Sequence, residues 1–232
     1  MNGPLDLIGE ARARGRKALS EYDSKRFLSF LGIPVVPEAF APDGDSAALE
    51  AARIGFPVVL KAYGENLFHK TEVGGVVLNL RSQDEVREEG NRLLKIRGCE
   101  GLLVQQMAEG RRELACGLTR DPVFGPCVMF GLGGILTELL GDVVFRIAPL
   151  SLADAQEMMG QIRGRKVMES FRGEPPADRH GLARVLVALG EIGLRYEEVA
   201  EVDINPLRIR SDGRPVALDA LVVLRPGGTV HG

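Results

Sequence analysis

The sequence predicts a mixed α+β protein whose two lobes are built on largely antiparallel sheets. Three observations predict it. Helical and β-branched stretches alternate along the chain, yet turns such as Glu109 followed by Gly110 join strands directly, which a doubly wound parallel sheet does not allow. Residues 57–60 and 76–80 are short, β-branched runs bounded by Gly or Pro, which read as strands. The chain has 232 residues, enough for two lobes that each bury a core.

Composition narrows the class of function. The chain is 45% hydrophobic and 26% charged, ordinary for a soluble globular protein. A net charge of −3 gives no reason to expect nucleic acid or an anionic membrane as a partner. Arg12, Arg14, Arg16 and Lys17 read as a solvated helix face rather than a binding arm. No apolar run approaches the roughly 20 residues of a membrane span, and the N-terminus lacks the apolar core of a signal peptide. Cys99, Cys116 and Cys127 are odd in number and lack C-x-x-C spacing. They suit a reducing, cytoplasmic setting better than a disulfide or zinc site.

The elements follow in order. Residues 5–18 are amphipathic and helical. Ser20 opens a second helix with Asp23 three residues on, and Phe27, Leu28 and Leu31 form its apolar side until Gly32-Ile33-Pro34 ends it. Asp45 or Ser46 caps an Ala-rich helix that runs to Gly55. Strands are expected over 57–60 and 76–80, and Ser82 caps a helix that ends by Gly98. Further strands fall at 101–107, 113–119, 126–130 and 145–149. Helices cover 151–162 and 178–194, separated by a loop with Gly173, Pro175 and Pro176, and 199–224 closes the chain as strands.

The stretch 61–75 is the first with chemistry. A strand delivers Lys61 into a loop holding His69, Lys70, Gly74 and Gly75, and the chain returns as a strand. Residues 64–71 miss the G-x-x-x-x-G-K-[ST] pattern because His69 stands at the second glycine, and a strand follows where a P-loop needs a helix N-terminus. Val58-Val59-Leu60-Lys61 looks like the V-A-I-K strand of a protein kinase, but no H-R-D or D-F-G follows. What remains is a strand lysine for an α-phosphate under a glycine-containing flap. A solvated hairpin with ordinary lysines fits the same residues. Downstream, Gly131-Leu132-Gly133-Gly134 fails as a dinucleotide fingerprint because Leu136 takes the last glycine position.

The second chemical stretch closes the chain. In 202–209 the apolar positions switch from even to odd at Pro206, so a bulge is expected beside the proline. Ser211-Asp212-Gly213-Arg214 supplies an Asp-Gly hairpin turn. If Ser211 pairs with Arg214, Asp219 falls opposite residue 206, and one bulged residue moves that partner to Asn205. A carboxylate beside an amide oxygen suits Mg²⁺. A polar cross-strand pair on a solvated face is the other reading of the same residues.

Six motifs taken together resemble the ATP-grasp fold, most of all the β subunits of ADP-forming acyl-CoA (acetyl-CoA) synthetases, kin of the succinyl-CoA synthetase β subunit. They are Val59-Leu-Lys61; His69-Lys70-x-x-Val-Gly-Gly75; Thr119-Arg-Asp-Pro-x-Phe-Gly125; Phe130-Gly-Leu-Gly-Gly134; Phe145-Arg-Ile-Ala-Pro-Leu150; and Asp203-Ile-Asn-Pro-Leu207 with Asp219. The resemblance covers 18–224 and implies two α+β lobes enclosing a nucleotide cleft. It divides the chain into an N-terminal helical segment (1–17), a first lobe with the phosphate flap (18–105) and a second lobe with the Mg²⁺-binding hairpin (106–232). By resemblance Lys61, Lys70, Gly74 and Gly75 would hold the phosphates of ATP or ADP. Gln106, Met107 and Glu109 would lie in the interlobe hinge against adenine, and Glu113 would contact ribose. Asn205 and Asp219 would bind Mg²⁺ with Asp203 adjoining, 131–134 would line the cleft, and His69 would relay a phosphoryl group.

The family reaction also needs a CoA-binding Rossmann domain and a ligase domain, for which 232 residues leave no room. The chain is therefore expected to be half an enzyme rather than a fused version, with a CoA-binding α subunit as partner and acyl-CoA and CoA held by that partner. Two rivals stay open. A self-contained ATP-grasp ligase forming an acyl phosphate would not need His69, and a nucleotide-sensing subunit would bind without transferring phosphate.

Overall fold

The computed structural model describes residues 3–64, 67, 73–134 and 140–226. The chain forms two compact units: Val36–Ala108, and Met1–Val35 together with Glu109–Gly232. Both are α+β, and each is built on an antiparallel sheet.

In the smaller unit the sheet order is β1–β4–β2–β3, with β1 Glu38–Ala41, β2 Val58–Tyr63, β3 Val76–Leu80 and β4 Gly101–Gln106. Two helices, α3 Gly44–Ile54 and α4 Gln83–Leu93, cover one face. Val58, Leu60 and Ala62 alternate into that core with Leu102 and Val104, so Lys61 belongs to the opposite face by the period of two. Each fully buried Leu or Val contributes about 1.5–3 kcal/mol. Gly90 lets the two helices close up, since a Cβ there would sit 2.9 Å from the Leu102 side chain and 3.1 Å from Gly44 Cα. The cap of α3 is Asp43, whose carboxylate accepts from Ser46 N–H at 2.7 Å, rather than Asp45 or Ser46. Asp43 holds the extended backbone of a cap while Asp45 is already helical. Ser82 caps α4 as expected, accepting from Glu85 N–H at 3.2 Å.

The larger unit contains α1 Pro4–Ala13 and α2 Glu21–Phe30, then β5 Arg112–Asp121, β6 Gly125–Leu132 and β7 Val143–Ile147. It continues through α5 Leu152–Gln161, a 3₁₀ turn at Arg165–Met168 and α6 Arg179–Arg195 to β8 Val199–Ile209, β9 Pro215–Ala217 and β10 Leu221–Leu224. The sheet order is β10–β8–β5–β6–β7, with β9 also on β8. Leu114, Cys116, Leu118, Val128, Phe130, Val202 and Ile204 join the helices in one core. Gly193 of α6 is pressed onto that sheet: a Cβ there would lie 2.6 Å from the Pro126 Cβ and 2.8 Å from Leu118 Cδ1.

The first 35 residues group with the C-terminal part, not with the segment that follows them. Backbone bonds from both sides of α2 explain this. Leu19 N–H donates to Val222 O at 2.9 Å, Leu224 N–H to Lys17 O at 2.7 Å, and Ala217 N–H to Pro34 O at 2.9 Å. The other unit boundary, between Ala108 and Glu109, falls inside the stretch read from sequence as a hinge. Among the described residues no helix is long and apolar enough to cross a membrane.

Candidate nucleotide and metal site

In the smaller unit, Lys61 stands mid-strand between Leu103 of β4 and Val76 of β3 and is half-buried. Ala62 N–H donates to Gly75 O at 2.8 Å, so the buried Gly75 is fastened beside the lysine while Gly74 stays exposed with φ at 67°. A left-handed φ of that size favours glycine. Gln106 ends β4, its N–H bonded to Pro37 O at 2.9 Å, and Met107 N–H donates to Pro57 O at 3.1 Å. Both are half-buried. His69 and Lys70 lie outside the described residues.

The larger unit holds the remaining candidates, with Asp203 and Asn205 on the side of β8 that its core residues do not use. Along β8 the buried positions are Val202 and Ile204, then Leu207 and Ile209, so the phase slips between Ile204 and Leu207. Against β5 the register shifts across the same gap: Cys116 pairs with Ile204, and Leu114 with Leu207. One extra residue of β8 is accommodated there, the bulge expected beside Pro206. The slip leaves Asp203, Asn205 and Arg208 on the same polar side.

The hairpin register differs from the sequence expectation in two ways that cancel. Arg210, not Ser211, is the partner of Arg214, with a backbone bond of 2.9 Å. The bulge is made against β5, whereas β8 runs without slippage past β9 and onto β10 as far as Val223. Leu207 pairs with Ala217 and Asp203 with Leu221, so Asp219 stands opposite Asn205 in phase with both ladders. Leu218 N–H donates to Pro206 O at 3.1 Å, consistent with that phase.

Asn205 is fixed by the glycine-rich exit of β6. Its side-chain oxygen accepts from Gly134 N–H at 2.9 Å, and Gly133 N–H donates to Glu113 O at 3.0 Å. Gly134 has φ of 63°, and a Cβ there would run into the Glu113 carboxylate. Glu113 is the register partner of Arg208, whose guanidinium donates to it. Glu113, Gly134, Asn205 and Arg208 therefore form one assembly. Glu109, also in this unit, is exposed and accepts from the Ser211 hydroxyl at 3.0 Å.

Charge accumulates next to this assembly. Burial, then Glu201, then Asp219 push the Asp203 carboxyl above its ordinary range. A bound cation would relieve that repulsion. The described residues assemble no cluster of three or more His, Cys, Asp or Glu side chains able to hold a metal. A hard cation of the Mg²⁺ type takes one or two protein oxygens and completes its shell with phosphate and water. Asn205 and Asp219 offer such a pair.

Sequence reasoning missed three supports. Arg208 was legible in principle, because the slip at Pro206 moves the polar phase to even numbers. Arg112, 4% exposed, donates to Glu169 O at 2.9 Å, Pro175 O at 2.7 Å and the Glu174 carboxylate at 3.0 Å. Asp142, 6% exposed, accepts from Arg163 N–H at 2.8 Å and Gly164 N–H at 2.7 Å, while its own carbonyl accepts from Leu132 N–H at 3.3 Å. It braces the strand end that leads to Gly133 and Gly134. No local pattern signals either residue, since every partner is remote in sequence.

Comparison with known proteins identifies the family and the fold. The ATP-grasp domain family matches residues 10–224. The β subunit of acetate–CoA ligase [ADP-forming] I from Pyrococcus furiosus is 37% identical over 226 residues, 94% of this chain and 97% of that one. The structure of Ca. Korarchaeum cryptofilum ACD1 in complex with coenzyme A superposes with a TM-score of 0.91 at 42% identity, covering 96% of this chain and all of that one (100%). The acetyl-coenzyme A synthetase 1 of the same organism, solved with coenzyme A and Mg-AMPPCP and with its phosphohistidine segment pointing towards the nucleotide-binding site, gives 0.87 at 42% identity over 96% and 100% of the two chains. The chain belongs to the ATP-grasp family, among the β subunits of ADP-forming acetate–CoA ligases.

Proposed function

We propose that the chain is the nucleotide-handling subunit of an ADP-forming acyl-CoA synthetase, which interconverts acyl-CoA, ADP and phosphate with acid, CoA and ATP. The observation that carries this reading is the register that sets Asp219 opposite Asn205 beside the Gly134 turn. Lys61 serves the α-phosphate, Lys70 and the backbone at Gly74 and Gly75 serve the β- and γ-phosphates, and Gln106, Met107 and Glu109 border the adenine. Glu113, oriented by Arg208, receives the ribose hydroxyls.

Asn205 and Asp219 would hold Mg²⁺, which when bound would offset the charge of the phosphates. In the direction of ATP formation, the N–P bond of phosphorylated His69 breaks as a β-phosphate oxygen of ADP bonds to phosphorus, and the imidazole takes up a proton. A neutral imidazole is a competent nucleophile near pH 7 without a separate base. The acetyl-coenzyme A synthetase 1 structure named above, which holds Mg-AMPPCP and a phosphohistidine segment, supports a phosphohistidine route and a nucleotide with a divalent metal. The partner is a CoA-binding α subunit with Rossmann and ligase domains, which supplies the acyl-CoA site, and the assembly works in the cytoplasm.

The test is ATP formation from acetyl-CoA, ADP and phosphate. The chain alone is expected to be inactive and to recover activity with the CoA-binding subunit. Robust turnover by the chain alone would favour a self-contained ligase, and nucleotide binding without turnover in any assembly would favour a sensing role.

A further inference from the structure

Asp219 does not lie in a strand. β9 ends at Ala217 and β10 begins at Leu221, so the carboxylate is carried by a three-residue link, Leu218, Asp219 and Ala220. The link keeps one cross-strand bond, from Leu218 N–H to Pro206 O at 3.1 Å, and its carboxylate gains from further restraints if it is to stay within the tolerance of a metal site. Within the link, Ala220 N–H donates to Asp219 Oδ1 at 2.8 Å.

Consecutive side chains of α2 hold the first residue of the link and the strand just beyond its far end. Lys25 Nζ donates to Leu218 O at 3.4 Å, and Ser24 Oγ accepts from Val222 N–H at 3.1 Å. Ser24 and Lys25 are both 0% exposed, and Lys25 Nζ also donates to Glu21 Oε1 at 3.0 Å. A buried ammonium is costly to desolvate, and an apolar side chain would fill the same volume at less expense. What an apolar side chain cannot do is grip a carbonyl. The helix is itself anchored to this strand, because Leu19 N–H donates to Val222 O at 2.9 Å.

The geometry points to Lys25 and Ser24 as positioning residues for the metal-binding carboxylate: α2 brackets the link and sets where Asp219 presents its oxygens. The inference rests on the reading of Asn205 and Asp219 as the Mg²⁺ site.

The test uses the full chain and fluorescent ADP, titrated with Mg²⁺ and separately in EDTA, with thermal melting recorded alongside. Lys25→Met is made together with Glu21→Gln so that no carboxylate is left uncompensated. The half-saturating Mg²⁺ concentration is expected to rise about tenfold, as when a partner of a metal ligand is removed. Affinity in EDTA should stay within about twofold. Ser24→Ala should shift Mg²⁺ in the same direction by a smaller factor, and it decides the matter if the double variant does not fold. An unchanged Mg²⁺ requirement in the folded variant overturns the proposal, as does an equal loss with and without metal, which is what a purely structural lysine would give. Asp219→Asn separates the two levels of the argument. If it leaves the Mg²⁺ dependence intact, the metal site itself is wrong; if it abolishes the dependence while the α2 variants do nothing, only the bracket is wrong.

Discussion

The backbone N–H of Gly134 donates to the side-chain oxygen of Asn205 at 2.9 Å, which ties the exit of β6 to the point where β8 slips phase. An amide oxygen has two lone pairs. One is spent on Gly134 and orients the other. Asn205→Ala is expected to lower Mg²⁺-dependent ADP affinity at least about tenfold. It should also cost about 1–3 kcal/mol of stability by leaving the Gly134 donor unpaired. Asn205→Asp, which keeps the acceptor, should lose less of both. Calorimetric titration and chemical denaturation of the two variants check this.

Asp219→Ala is expected to abolish Mg²⁺-dependent nucleotide binding while leaving the fold intact, because the residue lies outside the core and outside the ladder. Titration with Mg-ADP reads the outcome, and unchanged affinity would sink the site.

Gly134→Ala tests the turn. Its φ of 63° is strained for any residue with a Cβ, at about 1–2 kcal/mol, and the new methyl would displace the Glu113 carboxylate. Stability and ADP affinity should fall together. Gly125→Ala is the control: its φ is 79° but nothing stands within 4 Å of a Cβ, so it should lose stability alone.

Asp142 gives a pH signature. Burial acts to raise its carboxyl, but the N–H groups of Gly164 and Arg163 and the Arg163 guanidinium outweigh that and hold it below the ordinary carboxylate range. A depressed carboxylate stabilises the fold above its unfolded pKa of about 3.9 and loses that contribution as pH falls through the lower folded value. Asp142→Asn should therefore cost about 1–3 kcal/mol at pH 7. The gap from wild type should close as melts are taken below about pH 4. A gap that stays constant with pH would contradict the assignment.

Much of the fold was legible because local rules and tertiary structure agree. Ser20 and Ser82 cap the helices they precede, and the short β-branched runs became the expected strands. The phase slip at Pro206 located a real bulge before any partner strand was known. The sequence could not say which neighbour the bulge is made against, since pairing is a tertiary choice, and the assumed turn was one residue out; the two misreadings compensated at Asp219. The grouping of the first 35 residues with the C-terminal part was invisible for the same reason: it rests on backbone bonds such as Leu19 to Val222. Lys25 left a faint trace, a lysine one turn before Leu28 on the buried stripe of α2.

The central claim is that phosphate passes through His69. The direct measurement is made on the chain assembled with its CoA-binding subunit, given acetyl-CoA, ADP and radiolabelled phosphate, with label on this chain and label in ATP followed together. Wild type is expected to carry acid-labile label and form ATP. His69→Asn is expected to bind ADP within about twofold of wild type while showing neither label nor ATP, because only the nucleophile is removed. ATP formation at the wild-type rate by the assembled His69→Asn enzyme would contradict the relay.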